Sequence, residues 1–248
     1  EKMASLGRMV AGFAHEINTP VGVAVGAISH TEETLDGIDR LLQSEEVSEQ
    51  ALVQHLAELR QGSQIALSSL RRAANLVQRF KRSSVDQSSE QLRRFEMQEL
   101  IEDVRYALTN QLKRLPIRFQ ISCPQGLQIY GAPGLLEQVL TNLILNSITH
   151  GFDKGERPGA IQILVETPVP GRLRLLYRDD GVGMTAEVVG RVYEPFFTTR
   201  RGEGGSGLGL YLSYNIVTSQ LGGTIRCESQ PGEGVLFTIE IPYNTTSA

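Results

Sequence analysis

The spacing of apolar residues divides the chain into two regions. From residue 1 to about 82, apolar residues recur every three or four positions, and Pro20 is the only proline. A helix of 3.6 residues per turn brings such positions onto one side, so this region is predicted to be helical. Two stripes are separated by the acidic and polar segment 43–48. The first contains Leu6, Val10, Phe13, Ile17, Val21, Ala24, Ile28, Leu35, Ile38 and Leu42, and the second contains Leu52, Leu56, Leu59, Ser63, Ala66, Leu70, Ala73, Val77 and Phe80.

The two stripes predict a long antiparallel helical hairpin over residues 1–84. Ser48, followed by Glu49 and Gln50, is typical of a helix start. With a rise of about 1.5 Å per residue, each helix is roughly 50 to 60 Å long. A single hairpin of this length cannot bury both stripes completely, whereas two copies can do so in a four-helix bundle. We therefore expect a homodimer.

A polar, serine-rich stretch at residues 85–94 is predicted to link the hairpin to a second domain, residues 95–248. This region mixes the period of helices with the alternation of strands. It predicts an α+β two-layer sandwich, with helices packed on a mixed sheet. The expected helices are 99–114, 133–150 and 208–221, and the expected strands are 95–97, 117–121, 127–130, 160–166, 173–177, 224–228 and 235–241.

Charge and composition argue against several classes of function. The chain has 24 Lys and Arg against 28 Asp and Glu, a formal net charge of −4, so it lacks the basic excess of proteins that bind nucleic acid. Its apolar runs are shorter than the roughly 18 to 20 residues that span a bilayer, and its start does not resemble a signal peptide. The two cysteines, Cys123 and Cys227, lack metal-binding spacing. We expect a cytoplasmic chain that contacts neither nucleic acid nor membrane.

His15 is predicted to face away from the apolar stripe of the first helix. It stands two residues from each of the nearest stripe residues, which is about 200° of helical rotation. A lone exposed histidine ordinarily has no function, but Glu16 can hold the imidazole and Thr19 lies one turn further on the same face. Pro20 lacks an N–H, so the helix is expected to bend beyond the site. His30 has no following glutamate or proline and is expected to be an ordinary surface residue.

Two asparagines and an acidic turn are predicted to line a pocket in the second domain. Asn142 and Asn146 lie four residues apart on one face of an apolar helix, and amide oxygens suit Mg²⁺ already neutralised by phosphates. Asp179 follows a strand, where its carboxylate can accept a hydrogen bond from an adenine amine. Gly181 and Gly183 allow close approach of the backbone. Taken separately, the asparagines could be ordinary surface amides and the acidic segment an ordinary turn.

A glycine-rich segment, residues 204–210, opens a predicted helix whose free N–H groups and dipole favour phosphate. A dinucleotide-binding βαβ unit is excluded because a long loop precedes these glycines instead of a strand. A P-loop is excluded because no lysine follows Lys154. The motifs of serine, threonine and tyrosine protein kinases are missing from the sequence as well.

Five sequence boxes together carry a resemblance to a known family. Segment 13–20, Phe-Ala-His-Glu-Ile-Asn-Thr-Pro, resembles the H box of sensor histidine kinases. The boxes at 142–146, 179–184, 194–200 and 204–210 follow one another in the order found in the ATP-binding domain of the GHKL superfamily, in its histidine-kinase form. With the H box, the resemblance covers nearly the whole chain.

The resemblance implies three roles in the hairpin. His15 accepts the γ-phosphoryl group of ATP, and Glu16 acts as general base. Thr19 positions water when the enzyme works in reverse as a phosphatase.

In the second domain the resemblance implies a site for ATP and magnesium. Asn146 is the implied magnesium ligand, and Asp179 binds the adenine amine. Residues from about 184 to 206 form a mobile lid, with Phe196 and Phe197 as its hydrophobic latch. The implied nucleotide-binding residues are Asn142, Asn146, His150, Asp179, Gly181, Gly183, Phe196, Thr199, Arg200, Gly205, Gly207, Leu208 and Gly209.

The sequence departs from the family pattern after the asparagine box. Many relatives have Lys or Arg at the position of Thr149 and an aromatic residue at the position of His150. His150 is therefore expected either to contact the nucleotide or simply to end a helix. Arg200 or Arg201 is expected to reach the γ-phosphate.

The implied protein is the cytoplasmic catalytic core of a sensor histidine kinase. It phosphorylates His15 from Mg-ATP, passes the phosphoryl group to an aspartate of a response-regulator receiver domain, and is chemically able to dephosphorylate that regulator. An upstream sensor or input domain is expected outside this chain, and any membrane anchor would lie there too. Two alternatives stay open: an ATP-driven clamp that releases free phosphate, and a scaffold that docks partners through the helical bundle.

Overall fold

The computed structural model describes residues 2–44, 47–85, 92–112, 115–200 and 207–245. Within these ranges, side chains are described except at residues 2–11, 75, 78–85 and 110–111. The chain forms two compact units, Glu1–Gln87 and Ser88–Ala248. The predicted linker falls largely on residues outside the described ranges, so its boundaries stay predictions.

The first unit is a helical hairpin. Helix α1 spans Lys2–Leu42 and helix α2 spans Glu49–Val85. Gly62 of α2 faces Thr31 of α1, and His55 of α2 faces Gly37 of α1. The facing positions increase along one helix while they decrease along the other, which is the predicted antiparallel arrangement.

The helices begin and continue much as the sequence indicates. The hydroxyl of Ser48 accepts a hydrogen bond from the N–H of Ala51 at 3.3 Å, which caps the start of α2. Helix α1 continues through Pro20 without interruption. No helix in the described part of the chain combines the length and apolar character needed to cross a membrane.

Small residues line the contact between α1 and α2. At Gly62 the helices come so close that an added Cβ would lie 2.5 Å from Oγ1 of Thr31. The larger stripe residues face outwards, and about half of each side chain is exposed at Ile28, Leu35, Leu42, Leu56 and Leu70. The side chains that are buried within the hairpin are small ones, including Ala24, Thr34, Ala66, Ser69 and Ala73. One hairpin therefore leaves much of both predicted stripes uncovered.

The second unit combines helices with a mixed sheet, as predicted. Its strands are β1 Arg93–Glu96, β2 Ile117–Ser122, β3 Gln128–Gly131, β4 Gly159–Val169, β5 Arg172–Asp179, β6 Thr224–Ser229 and β7 Val235–Pro242. Its helices are α3 Met97–Ala107, α4 Thr109–Leu112, α5 Pro133–Asn146, α6 Ala186–Arg191 and α7 Gly209–Asn215. The main sheet has the order β2-β4-β5-β7-β6, and β1 pairs with β3 separately. Strands β2 and β4 are parallel, and the other neighbours are antiparallel.

Strand β5 carries a row of core side chains that ends in a carboxylate. Leu173, Leu175, Tyr177 and Asp179 are each at most 3% exposed, because alternate side chains of a strand point to the same face. The apolar members of this row belong to the same core cluster as Leu143 of α5. The fold therefore brings the last residue of β5 into the interior, close to the end of α5.

Two predicted helices end in π-helical turns. Helix α5 passes into the turn Ser147–Gly151, where the N–H of Phe152 donates to the carbonyl of Ser147 at 2.8 Å. Helix α7 passes into the turn Ile216–Gln220, which Leu221 closes in the same way at 2.9 Å. Each turn spans five residues per hydrogen bond, so it shifts the direction of side chains relative to a continuous α-helix.

Other boundaries also differ from the predictions. Met97, predicted to be extended, is the first residue of α3, and this helix ends at Ala107 because Leu108 leaves helical geometry with ψ near 3°. Helix α6 was not predicted. It begins at the cap Thr185, whose hydroxyl accepts a hydrogen bond from the N–H of Val188 at 3.4 Å.

Candidate functional site

Asp179 lies at the centre of a buried hydrogen-bond network. Its Oδ2 accepts a hydrogen bond from the hydroxyl of Ser147 at 2.5 Å, and its Oδ1 accepts one from the N–H of Gly181 at 3.0 Å. The Tyr177 hydroxyl lies 2.8 Å from that of Ser147. Burial raises the pKa of the Asp179 carboxyl above its usual value, and the hydrogen bonds from Ser147 and Gly181 oppose that rise. The sequence motifs indicate Asp179 but neither Ser147 nor Tyr177.

The glycines after Asp179 allow two close approaches of the backbone. At Gly181 an added Cβ would lie 2.6 Å from Cα of Gly151, and at Gly183 it would lie 1.9 Å from the carbonyl oxygen of Gln230. Gly183 also has φ of +67°, which favours glycine. A side chain at either position would meet the neighbouring backbone, so both positions require glycine.

The two asparagines meet the start of α7. The Asn142 side chain donates to the carbonyl of Gly209 at 3.2 Å and to the hydroxyl of Ser213 at 3.3 Å. A Cβ added at Gly209 would lie 3.9 Å from the amide groups of both Asn142 and Asn146. The asparagine face of α5 and the glycine-rich start of α7 thus lie side by side. Leu208, which directly precedes α7, is buried.

The chemistry of this junction fits magnesium held together with phosphates. An amide oxygen is a hard ligand of the kind that Mg²⁺ accepts, and Mg²⁺ usually keeps several waters and binds through few protein groups. Among the described residues, no cluster of three or more His, Cys, Asp or Glu side chains is arranged to hold a metal. The amide of Asn146, beside Gly209 at the start of α7, would suit such an ion as one of its few protein ligands.

The segment after α6 folds back onto the domain. Phe196 is 7% exposed and has φ of +64°, and a Cβ added at Gly207 would lie 2.4 Å from the carbonyl carbon of Phe196. The guanidinium carbon of Arg191 lies 4.4 Å from the centre of the Phe197 ring. Phe196 therefore lies against Gly207, directly after the predicted lid. Gly205, another predicted site residue, lies outside the described residues.

Two polar contacts join this segment to the loop after α5. The hydroxyl of Thr199 lies 3.2 Å from Nδ1 of His150, and the guanidinium of Arg200 donates to the carboxylate of Asp153. That hydrogen bond and the charge of Arg200 hold the pKa of Asp153 below its usual value. The structure thus brings together three predicted site residues with Asp153, which no sequence motif had indicated. Arg201 lies outside the described residues.

His15 is exposed on α1, as predicted, and Glu16 is half-buried beside it. The hydroxyl of Thr19 donates to the backbone carbonyl of His15 at 3.1 Å, so it lies one turn along the helix from the histidine. His30 is also exposed, and its Nδ1 lies 3.8 Å from a carboxylate oxygen of Glu33. The two histidines differ in their neighbours more than in their accessibility.

Known proteins are similar to this chain in both of its units. Residues 131–245 match the family of histidine kinase-, DNA gyrase B-, and HSP90-like ATPases. Sensor histidine kinase ZraS from Klebsiella oxytoca is 33% identical over 246 residues, which make up 98% of this chain and 47% of that protein. The chain therefore spans less than half the length of this relative.

Solved structures give the same result. The catalytic domain of histidine kinase ThkA has a TM-score of 0.54 and 29% identity, covering 61% of this chain and 95% of that one. The structure of ThkA in complex with the response regulator protein TrrA has a TM-score of 0.67 and 25% identity, covering 99% of this chain and 64% of that one. With an exposed histidine on a helical hairpin and a domain that matches this ATPase family after it, the chain is similar to sensor histidine kinases over nearly its whole length.

Proposed function

We propose that this chain is the catalytic core of a sensor histidine kinase that phosphorylates its own His15 from Mg-ATP and passes the phosphoryl group to a response regulator. The observation that carries the proposal is the pairing, in one chain, of the exposed His15–Glu16 dipeptide with the polar site around Asp179 and Asn146. We infer a cytoplasmic core that receives its signal from an input domain elsewhere in the full protein.

The second unit supplies the nucleotide site in this proposal. Asp179 accepts a hydrogen bond from the adenine amine, since its carboxylate offers only acceptors and retains a lone pair beyond those used by Ser147, Gly181 and the backbone of Val235. The phosphates lie at the start of α7, beside Asn146. Magnesium at this position would neutralise phosphate charge, as it does in other phosphoryl-transfer enzymes.

The hairpin supplies the acceptor. Glu16 takes the proton from one ring nitrogen of His15, and the other ring nitrogen attacks the γ-phosphorus in line with the leaving oxygen. An N–P bond forms as the P–O bond to ADP breaks. The phosphohistidine then donates its phosphoryl group to an aspartate of a receiver domain. Thr19 positions water for the opposite reaction, the dephosphorylation of the regulator.

A response regulator is the partner that the relatives suggest. ThkA, with which this chain shares its fold over 99% of its length, was solved in complex with the response regulator protein TrrA. We propose that this chain, too, docks a receiver domain, with an aspartate as the final acceptor. Transfer from the labelled chain to a receiver domain, abolished by changing the receiver's aspartate to asparagine, is the expected result.

We further propose that the chain works as a homodimer through its hairpin. Large apolar side chains on both helices are about half exposed, including Ile28 and Leu56, and a second copy would cover them. Sedimentation should give twice the chain mass, and Ile28→Glu should give the monomer mass. Gln61→Glu, at an exposed polar position of α2, is the matched control and should leave the dimer intact. A wild-type mass equal to one chain would contradict the dimer.

The central test is labelling with γ-labelled ATP and Mg²⁺. The protein should acquire label that survives alkali and is lost in acid, and His15→Gln should acquire none while binding ADP normally. His30→Gln removes an exposed histidine from the same helix and should label like the wild type. Label on His15→Gln would overturn the assigned acceptor. Free phosphate without labelled protein would instead indicate the ATP-driven clamp, and neither product would indicate a scaffold.

A further inference from the structure

Three buried side chains form a hydrogen-bonded chain that ends on Asp179. The Tyr177 hydroxyl lies 2.8 Å from the Ser147 hydroxyl, which lies 2.5 Å from Oδ2 of Asp179. Tyr177 is fully buried, and Ser147 and Asp179 are each 3% exposed. Burying a polar group costs free energy unless the group has a hydrogen-bond partner. The placement of these three buried polar side chains next to one another therefore needs an explanation.

The direction of this chain follows from its proton count. An ionised carboxylate only accepts, and a serine hydroxyl has a single proton, so Ser147 donates to Asp179 and accepts from Tyr177. Burial raises the pKa of Tyr177 well above its usual value, so its hydroxyl keeps the proton that it donates. Both hydroxyls thus act on one oxygen, Oδ2 of Asp179.

The fold fixes the positions of both hydroxyls. Tyr177 lies two residues before Asp179 on β5, so it points to the same face of the sheet. Ser147 is the first residue of the π-helical turn after α5. The other oxygen, Oδ1, accepts the N–H of Gly181 and would lie 3.5 Å from a Cβ added at Gly151. Because the same Cβ would lie 3.7 Å from Oδ2, the whole carboxylate of Asp179 lies close to the turn that follows α5.

We propose that Ser147 and Tyr177 are positioning residues that hold Asp179 as a fixed acceptor, and that they thereby make the site select 6-aminopurine nucleotides. The proposal rests on the proposed function, because it assumes that the nucleotide base reaches Asp179. A 6-amino group donates to such an acceptor. A purine without that group cannot replace the hydrogen bonds that the carboxylate loses with its water. A 6-oxo group is itself an acceptor, so it cannot donate to Asp179.

The alternative is that the two hydroxyls only satisfy one another inside the core. The two roles differ in what they predict for ligands. A purely structural role lowers the affinity for every nucleotide alike, whereas a positioning role changes only the part of the affinity that depends on the 6-amino group.

The experiment compares ADP with purine riboside 5′-diphosphate, which lacks the 6-amino group, by calorimetric titration of the whole chain. Diphosphates avoid phosphoryl transfer during the titration. We expect the wild type to prefer ADP, and Ser147→Ala to reduce that preference about tenfold, the scale of one hydrogen bond to a charged group. Tyr177→Phe leaves Ser147 in place and should reduce the preference about threefold, the scale of one neutral hydrogen bond.

Two further variants separate positioning from packing. Ser147→Thr keeps the hydroxyl and should keep the preference for ADP. Ile163→Val is the matched core control, because Ile163 is 1% exposed and pairs with Tyr177 across β4 and β5. It should lower the unfolding temperature and leave the preference unchanged.

The outcomes distinguish this proposal from the proposed function. If Ser147→Ala and Tyr177→Phe weaken both ligands equally, the positioning role is overturned and the nucleotide site stands. If Ile163→Val reduces the preference for ADP as much as Ser147→Ala and Tyr177→Phe do, the effect comes from core packing and the proposal also fails. If the wild type binds neither ligand, the proposed function itself is wrong.

Discussion

The close approach of Gly181 to Gly151 makes a sharp prediction for Gly181→Ala. The added Cβ would lie 2.6 Å from Cα of Gly151 and 2.8 Å from its carbonyl carbon and oxygen. Carbon atoms in contact are ordinarily at least about 3.5 Å apart, so the two segments must separate by about 1 Å. All three contacts are backbone atoms, so no side chain can rotate away to make room.

The expected loss of stability depends on the hydrogen bonds that hold the segments of Gly151 and Gly181 together. The N–H of Val182 donates to the carbonyl of Gly151 at 3.1 Å, and the N–H of Gly181 donates to Asp179 at 3.0 Å. Overpacking of this kind costs about 1 to 3 kcal/mol. For a unit of this size, that cost lowers the unfolding temperature by roughly 3 to 10 °C. Since Asp179 loses its alignment, ADP affinity should fall about tenfold, the scale of one hydrogen bond to a charged group.

The assay is scanning calorimetry of the whole chain together with ADP titration. Gly131→Ala is the matched control, because a Cβ added there meets nothing within 4 Å and the residue has no positive φ. This control should unfold and bind ADP like the wild type. If Gly181→Ala also matches the wild type in both measurements, the argument from close approach is refuted.

Two other predictions concern the phosphate side of the site. Gly209→Ala would place a methyl group 3.9 Å from the amides of Asn142 and Asn146, which is an ordinary contact, so the unfolding temperature should not change. The affinity for Mg-ADP should fall about tenfold, because the methyl group takes room from the phosphates. A destabilised protein with full affinity would contradict the assigned site. Arg200→Ala should raise the pKa of Asp153 towards its ordinary value of about 3.9, as measured by carboxyl NMR titration. Because the pKa of Asp153 is lowered in the folded protein, the ion pair stabilises the fold above the ordinary pKa, and this stabilisation is lost as the pH falls through the folded-state pKa. An unchanged pKa of Asp153 in the variant would show that Arg200 is not its partner in solution.

The elements of the second unit follow closely from its sequence, because strand alternation and helix period are local properties. The π-helical turns do not, since their hydrogen bonds depend on how the ends of α5 and α7 pack. Ser147 was missed for another reason: it reads as one more residue of an apolar helix, and its hydroxyl meets Asp179 across 32 positions of the sequence. Asp153 was missed for a similar reason, because its contact with Arg200 spans 47 positions.

The hairpin illustrates a different limit of sequence patterns. A helical stripe identifies the apolar side of a helix, but it does not say which partner covers that side. The stripes contain both Ala24, which is buried within the hairpin, and Leu35, which is half exposed. Gly62 interrupts no stripe, and yet a Cβ added there would lie 2.5 Å from the hydroxyl of Thr31 on the other helix. Small residues that allow close contact carry little hydrophobic signal, so their role appears only in three dimensions.

The outward-facing large side chains of the hairpin make protein concentration a variable of its stability. In the proposed dimer, the free energy of burying them is gained only on association. Each tenfold dilution then removes about 1.4 kcal/mol from folding that is coupled to association. The ATPase-family unit keeps its core within one chain and has no such dependence. Dilution should therefore separate two unfolding transitions, and the number of copies in a cell would set how stable the helix that carries His15 is.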